Sequence, residues 1–259
     1  MCSAWCIDSL CSVLPALCSR SITTGFRTIG FSFVPPLSLS CLTSTHVQWL
    51  LGSTIDAFME WVLGQAMPLS ASTDTLASHA VTPPHVIYVP AWVGAYMQTT
   101  RSLQKLISSP RMREAAYVQA VVAAAVKVTI VNVSNSHWVA LKLDEASASV
   151  ELYDPFPSAI ATADSAQPFL RFLAGISRDD RYMHFTVHVL DRSLIPQLPL
   201  QEDSASCGIF AALYLYHYLM QARMHFSQGD VQRWRKFMLC KILSRASPPV
   251  VIDLLQDDD

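Results

Sequence analysis

Four side chains in this 259-residue chain have the types and local settings that acyl transfer through a covalent intermediate demands. Cys207 opens a long apolar run, so it sits where a helix would begin. The thiolate is the reactive form of cysteine, and the partial positive charge at a helix N-terminus favours it. His137 opens a β-run, and an imidazole beside the sulfur can pair with the thiolate and later protonate a leaving amine. Asp154 closes the neighbouring β-run, and a carboxylate on the far side of the ring would fix its tautomer and orientation. Gln201 lies in a loop six residues before Cys207. Its amide, together with a backbone N–H at Cys207, would form a donor pair for an oxyanion. Gly208, directly after the cysteine, would leave room for substrate backbone beside the sulfur.

Taken singly, each has a plain structural reading. A lone cysteine on an apolar helix is usually a small core residue. Asp before Pro, as in Asp154-Pro155, is a common turn device, and a glutamine in a polar loop means nothing alone. What sets the four apart is their order and their placement at element ends. The remaining titratable groups offer less. His184 and His188 fall four apart in an expected strand without an HExxH-type carboxylate, and read as structural. His217 and His225 lie on or after an apolar helix, and Cys240 reads as core; no metal site is expected.

The elements that must position the four follow from periodicity. Val47–Leu63 places Trp49, Leu50, Ile55, Phe58, Met59 and Val62 at helical spacings, with Ser44 or Thr45 as N-cap. A Ser/Thr/Pro loop over 65–84 leads to a short strand, Val86–Val89, and a helix over Trp92–Leu106. Tyr117–Val133 reads as a buried helix running into a buried strand. The runs Val128–Val133 and His137–Leu143 are strands joined by the turn Ser134-Asn135-Ser136. Val150–Tyr153 is a third strand, stopped by Asp154-Pro155 because proline cannot donate to a central ladder. Then come a helix around Pro168–Leu173, a strand His184–Leu190, a helix from Cys207 to Met224 and an amphipathic helix Val231–Leu243. Helices, then a mixed sheet, then helices make the fold class α+β.

Composition bounds the function. Apolar residues make up 51% and charged residues 15%, which suits a large packed core. A net charge of −2 argues against a nucleic-acid partner, which calls for a basic face. No apolar run reaches the ~18 residues of a membrane span. Five of the seven cysteines (Cys2, Cys6, Cys11, Cys18, Cys41) precede residue 42, leaving only two in the body that a disulfide framework would normally staple, and the first four lack paired zinc-type spacing. A reducing, intracellular setting in nucleus or cytoplasm is the expectation. The first basic residue is Arg20 and Asp8 interrupts the apolar stretch, which argues against a secretory signal. The expected organisation is a non-catalytic leader over 1–43, a catalytic domain over 44–248 and an acidic tail over 249–259.

A resemblance gathers these residues. Gln201-Glu-Asp-Ser-Ala-Ser-Cys207-Gly208, running into an apolar helix, resembles the nucleophile motif of the Ulp1/sentrin-specific proteases. His137-Trp138 and Leu152-Tyr153-Asp154 are similar to that family's His-Trp pair and strand-ending Tyr-Asp, and Trp49-Leu50 with Ile55 to its early helix motif. The segment Asp230-Val-Gln-Arg-Trp-Arg-Lys-Phe-Met resembles its terminal helix. The sequence departs from the pattern at Leu51-Gly52, where Asn-Asp is usual, and at Ser206, where Asp is usual. Both differences weaken the case for SUMO itself as substrate. The resemblance implies a papain-like cysteine protease fold with rearranged element order, its central mixed sheet flanked by helices. It implies a cysteine peptidase that cuts after the C-terminus of a ubiquitin-like protein, without cofactor, using Cys207, His137, Asp154 and Gln201. Trp49 and Trp138 would wall a channel too narrow for side chains, selecting a Gly-Gly tail. Two other readings stay open: a same-clan acyltransferase, and a binding module that keeps the fold with a dead site.

Overall fold

The computed structural model describes residues 49–66, 86–97, 100–108, 115–156, 161–193 and 195–246. The expected leader over 1–43, the acidic tail, and most of the Ser/Thr/Pro loop over 65–84 lie outside the described residues.

Five strands form one mixed sheet in chain order: β1 (Val86–Val89), β2 (Val126–Val133), β3 (His137–Asp144), β4 (Ser149–Tyr153) and β5 (Thr186–Leu190). The two outer pairs are parallel and the inner two antiparallel. A left-handed pair, Ser134 and Asn135 with φ of 54° and 55°, turns β2 into β3, as the polar tripeptide leads one to expect. Side chains alternate across the sheet. Val128, Ile130, Trp138, Ala140 and Tyr153 enter one core, and Val131, Val139, Leu141, Val150 and Leu152 enter the other. Both faces being covered, the first six residues of β2 are all buried, Lys127 and Thr129 among them.

The first core packs α1 (Gly52–Ala66), α6 (Cys207–Leu219) and α7 (Val231–Ala246) on the sheet. The second packs α2 (Ala91–Met97), α3 (Thr100–Ile107), α4 (Ala115–Ala123) and α5 (Gln167–Ser177). α6 is apolar on nearly every side and lies across β3, the setting in which an all-round hydrophobic helix belongs.

Four expectations are corrected. The first helix begins at Gly52 rather than Val47, so Trp49 is not helical; Val47 and the proposed caps Ser44 and Thr45 lie outside the described residues. The Leu50 carbonyl accepts the Trp138 indole N–H at 3.1 Å, while the Thr54 and Ile55 amides turn to Leu51. Leu50 is thereby drawn out of the helical ladder. The expected helix over Trp92–Leu106 is two helices, α2 and α3. The helix from Cys207 stops at Leu219, five residues before Met224. Gln221 takes a left-handed φ of 50°, Ala222 N–H bonds the His217 carbonyl and Gln221 N–H the Tyr218 carbonyl. This Schellman closure usually advertises itself with glycine, and a glutamine hides it. Finally, the strand expected from His184 begins at Thr186, and His184 ends a 3-10 turn, Asp180–His184. His184 and His188 therefore share no strand face, and both are exposed.

Candidate active site

The antiparallel register pairs Ala140 with Tyr153, which brings the start of β3 and the end of β4 to one end of the sheet. His137 and Asp154 meet there. His137 Nε2 lies 2.6 Å from Asp154 Oδ1, and both side chains are buried. The carboxylate is itself fixed: Oδ1 accepts the Phe156 N–H at 2.8 Å and Oδ2 the Ala161 N–H at 2.8 Å. With Nε2 committed to Asp154, Nδ1 is the ring nitrogen left for a second partner, and Cys207 is close enough to the imidazole to act on its charge. Burial opposes a charged His137, but hydrogen bonds to Asp154 and Cys207 and their negative charge outweigh it and raise its pKa to about 9. Burial likewise opposes the Asp154 charge, and the donors His137, Ala161 and Phe156 overcome it, holding the carboxyl below the usual range. Each group thus favours its ionised form.

Cys207 is the first residue of α6 and only 1% exposed. Ser206 precedes it, with its carbonyl accepting the Ile209 and Phe210 amides. Gln201 is buried in the loop before the helix, and its N–H is tied to the Pro155 carbonyl at 2.8 Å, next to Asp154. The side-chain Nε2 donates to the Asp203 carbonyl at 2.5 Å, which sets the amide orientation, since only the nitrogen can face a carbonyl. A second amide hydrogen remains for another acceptor. The four chemically suggestive residues are therefore gathered at one end of the sheet by three separate elements and one loop.

Gly208 has a different role from the one expected. A methyl group there would meet Leu50 Cβ and Trp138 Cδ1, each at 3.1 Å. The missing side chain makes room for those two residues rather than for substrate. Trp138 is buried against Gly208 and Gly52, whereas Trp49, one residue before Leu50, is 40% exposed. The two indoles thus differ: one is a wall of the first core, the other faces outward.

Sequence reasoning missed Asp203. Its Oδ1 accepts the Ala205 and Ser206 amides at 3.0 and 2.8 Å, and Oδ2 accepts the Ser206 hydroxyl at 2.7 Å. An Asp two to three residues before those donors is an Asx-turn signal that could have marked it. His217 is buried, stacked on Phe226 at 5.2 Å and edge-on to Trp234, and His225 is exposed. Cys240 is half-buried, and neither it nor Cys207 is in a disulfide. Among the described residues no cluster of three or more His, Cys, Asp or Glu is arranged to hold a metal. No helix among them is long and apolar enough to cross a membrane.

Known proteins sharpen this picture. Residues 93–246 match the model of the Ulp1 protease family, C-terminal catalytic domain. Among solved structures, the SUMO protease Ulp1 with its catalytic cysteine oxidised to a sulfenic acid is similar at 16% identity and a TM-score of 0.66, covering 95% of this chain and 97% of that one. The C-terminal Ulp1 protease domain in complex with Smt3, the yeast ortholog of SUMO, gives 17% identity and 0.64, covering 94% and 96%. The Ulp1-like SUMO protease catalytic domain of Chaetomium thermophilum gives 13% and 0.57, covering 95% and 93%. At such identities the likeness establishes the α+β fold. A sequence comparison with curated proteins found no match. The family model spans His137, Asp154, Gln201 and Cys207 and well over half of the chain, and on that ground the chain belongs to the Ulp1 protease family.

Proposed function

We propose that this protein is a cysteine peptidase that cleaves the bond after the C-terminus of a ubiquitin-like protein. The observation that carries the reading is the 2.6 Å Asp154–His137 contact, with Cys207 at the start of α6 close enough to raise the imidazole pKa. In this mechanism the Cys207 thiolate attacks the scissile carbonyl carbon, and the oxyanion takes hydrogen bonds from the Gln201 amide and the Cys207 backbone N–H. His137, already protonated, gives its proton to the leaving amine as the carbon–nitrogen bond breaks. A water molecule then loses a proton to His137 and attacks the thioester, releasing the carboxylate and regenerating the thiolate. Asp154 holds the ring and balances its charge throughout.

Substrate choice rests on the entrance. Trp49 supplies an exposed flat surface, and the buried Trp138 holds the neighbouring Leu50 carbonyl through its indole N–H. An approach walled by rigid aromatics excludes side chains and suits a tail ending in Gly-Gly. The SUMO complex of the similar Ulp1 domain agrees with a ubiquitin-like partner. A free catalytic thiol calls for a reducing compartment, in keeping with an intracellular site of action.

The test is incubation of the full chain with a panel of ubiquitin-like proteins carrying a C-terminal electrophile, read by intact mass. At least one member is expected to add to the wild type and none to Cys207→Ala, while Cys240→Ser labels as the wild type does. Labelling that survives loss of the Cys207 sulfur would remove it as the nucleophile. A wild type inert to every member would leave the fold as a binding module.

A further inference from the structure

The segment 201–206 carries the Gln201 amide and delivers the chain into Cys207, yet it is neither helix nor strand. Its shape is set from outside. Gln228 stands on a 3-10 turn, Gln228–Asp230, that follows α6. From there its amide Nε2 donates to Asp203 Oδ2 at 2.6 Å, and its Oε1 accepts the Glu202 N–H at 2.9 Å. One planar amide thus holds two consecutive residues that are 25 and 26 positions away in sequence. Asp203 passes the constraint on in both directions. Its carboxylate takes the Ala205 and Ser206 amides and the Ser206 hydroxyl, next to the nucleophile. Its backbone carbonyl takes the Gln201 side chain.

The platform under Gln228 is braced in turn. Asp230 Oδ2 accepts the Ser227 N–H at 3.1 Å and hydroxyl at 2.9 Å, a reciprocal cap that fixes the turn. Phe226, just before it, packs edge-on against Phe210 of α6 with ring centres 5.4 Å apart. After the Schellman closure at Gln221, residues 222–227 therefore run back along α6 toward its N-terminal end, where Cys207 lies.

We propose that Gln228 and Asp203 are positioning residues for the proposed peptidase reaction: a cross-chain clamp that holds 201–206 so that the Gln201 amide and the Cys207 N–H converge on one oxyanion. The inference rests on the reading of Cys207 as nucleophile. Neither clamp residue touches substrate. The clamp acts through hydrogen-bond polarity, with a donor on Gln228 facing an acceptor on Asp203 and an acceptor facing the Glu202 N–H. Gln228→Glu sets two carboxylates against each other. Asp203→Asn turns an amide nitrogen toward Gln228 Nε2, and flipping the Gln228 amide only moves the mismatch to Glu202. The double variant restores both contacts of residue 228, reversing the polarity of the one to position 203 alone: the carboxylate installed at position 228 accepts from both the amide installed at position 203 and the Glu202 N–H.

The experiment measures kcat and KM on a ubiquitin-like fusion, and amide hydrogen exchange of residues 202–206, for D203N, Q228E and the double variant of the full chain. Each single variant is expected to lose about tenfold in kcat, since a small misplacement of a donor is enough to do so, with KM within about twofold. Exchange at Glu202 and Ser206 should rise about tenfold in each, and the double variant should recover both properties. Single variants with wild-type kcat would overturn the positioning role, as would a double variant no better than the worse single. If the wild type itself turns over nothing, the peptidase reading fails separately. The clamp is then judged on exchange alone, and unchanged protection in the single variants would sink it.

Discussion

At the residue scale, the site is a charge arrangement before it is a geometry. His137 is buried, which alone would favour the neutral ring, yet its partners hold it protonated to about pH 9. The protonated form is the one that donates to a leaving amine, so kcat/KM should fall on the alkaline side with an apparent pKa near 9. Asp154→Asn removes a negative charge that raises the histidine pKa, so the alkaline limb should move to lower pH, alongside a large loss in rate. A pH–rate profile of the two proteins checks this, and a limb that stays in place would mean that His137 is not the titrating acid. The same shifts bear on stability. The depressed Asp154 contributes stability above its unfolded pKa, near 4, which is lost as pH falls through its native value. The raised His137 contributes fully below 6.5 and loses its contribution as pH rises through about 9. The pair therefore supports the fold most between about pH 4 and 6.5.

At the element scale, α6 must approach the strand that carries the histidine, and Gly208 sets how closely. Gly208→Ala would place a methyl group 3.1 Å from both Leu50 Cβ and Trp138 Cδ1, neither of which is a flexible chain end. Overpacking of this kind costs about 1–3 kcal/mol. We expect Gly208→Ala to lower the chemical-denaturation midpoint and to reduce labelling by the electrophile, because Trp138 adjoins His137. Unchanged stability and labelling would show that the α1–α6 seam yields freely. The motif reading placed a glycine after the cysteine correctly but for the wrong contact: sequence shows which side chain is missing, not what fills its place.

Across the whole molecule, the two ends of the sheet do different jobs. His137 and Asp154 occupy one end. At the other, Lys127 of β2 is fully buried, with Nζ on the Ala124 carbonyl at 2.7 Å and paired with Glu145. Glu145 also accepts the Tyr182 hydroxyl at 2.6 Å and pairs with Arg181 at 2.9 Å, tying the β3–β4 turn to the 3-10 segment after α5. Removing one partner of a buried pair strands the other charge, at about 3–5 kcal/mol. Glu145→Ala should therefore lower stability by roughly 3 kcal/mol while leaving kcat within about twofold, and Lys127→Met with Glu145→Leu should cost less than Glu145→Ala alone. Denaturation curves and turnover on the same samples decide it. Equal losses in the single and double variants would mean that the charges do not hold one another.

Sequence by itself determined what local chemistry can encode. The β-runs appear as apolar stretches, the polar tripeptide 134–136 announces the hairpin, and Asp154-Pro155 ends β4 where a ladder cannot continue. The side chains of His137, Asp154, Gln201 and Cys207 have suggestive types at element ends, but each alone has a plain structural reading, and it is the resemblance to the Ulp1 motifs that gathers them. Tertiary structure decided whatever depends on a partner distant in the chain. Leu50 leaves the helix because Trp138, 88 residues on, takes its carbonyl. α6 ends at Leu219 through a left-handed glutamine that no propensity flags. His184 falls outside β5 because Asp179 caps a 3-10 turn through the Arg181 N–H. The Gln228–Asp203 bridge has no local signature, because a hydrogen bond across 25 residues leaves no period or spacing to read. Local patterns fix which atoms are available; only the packed chain fixes which of them meet.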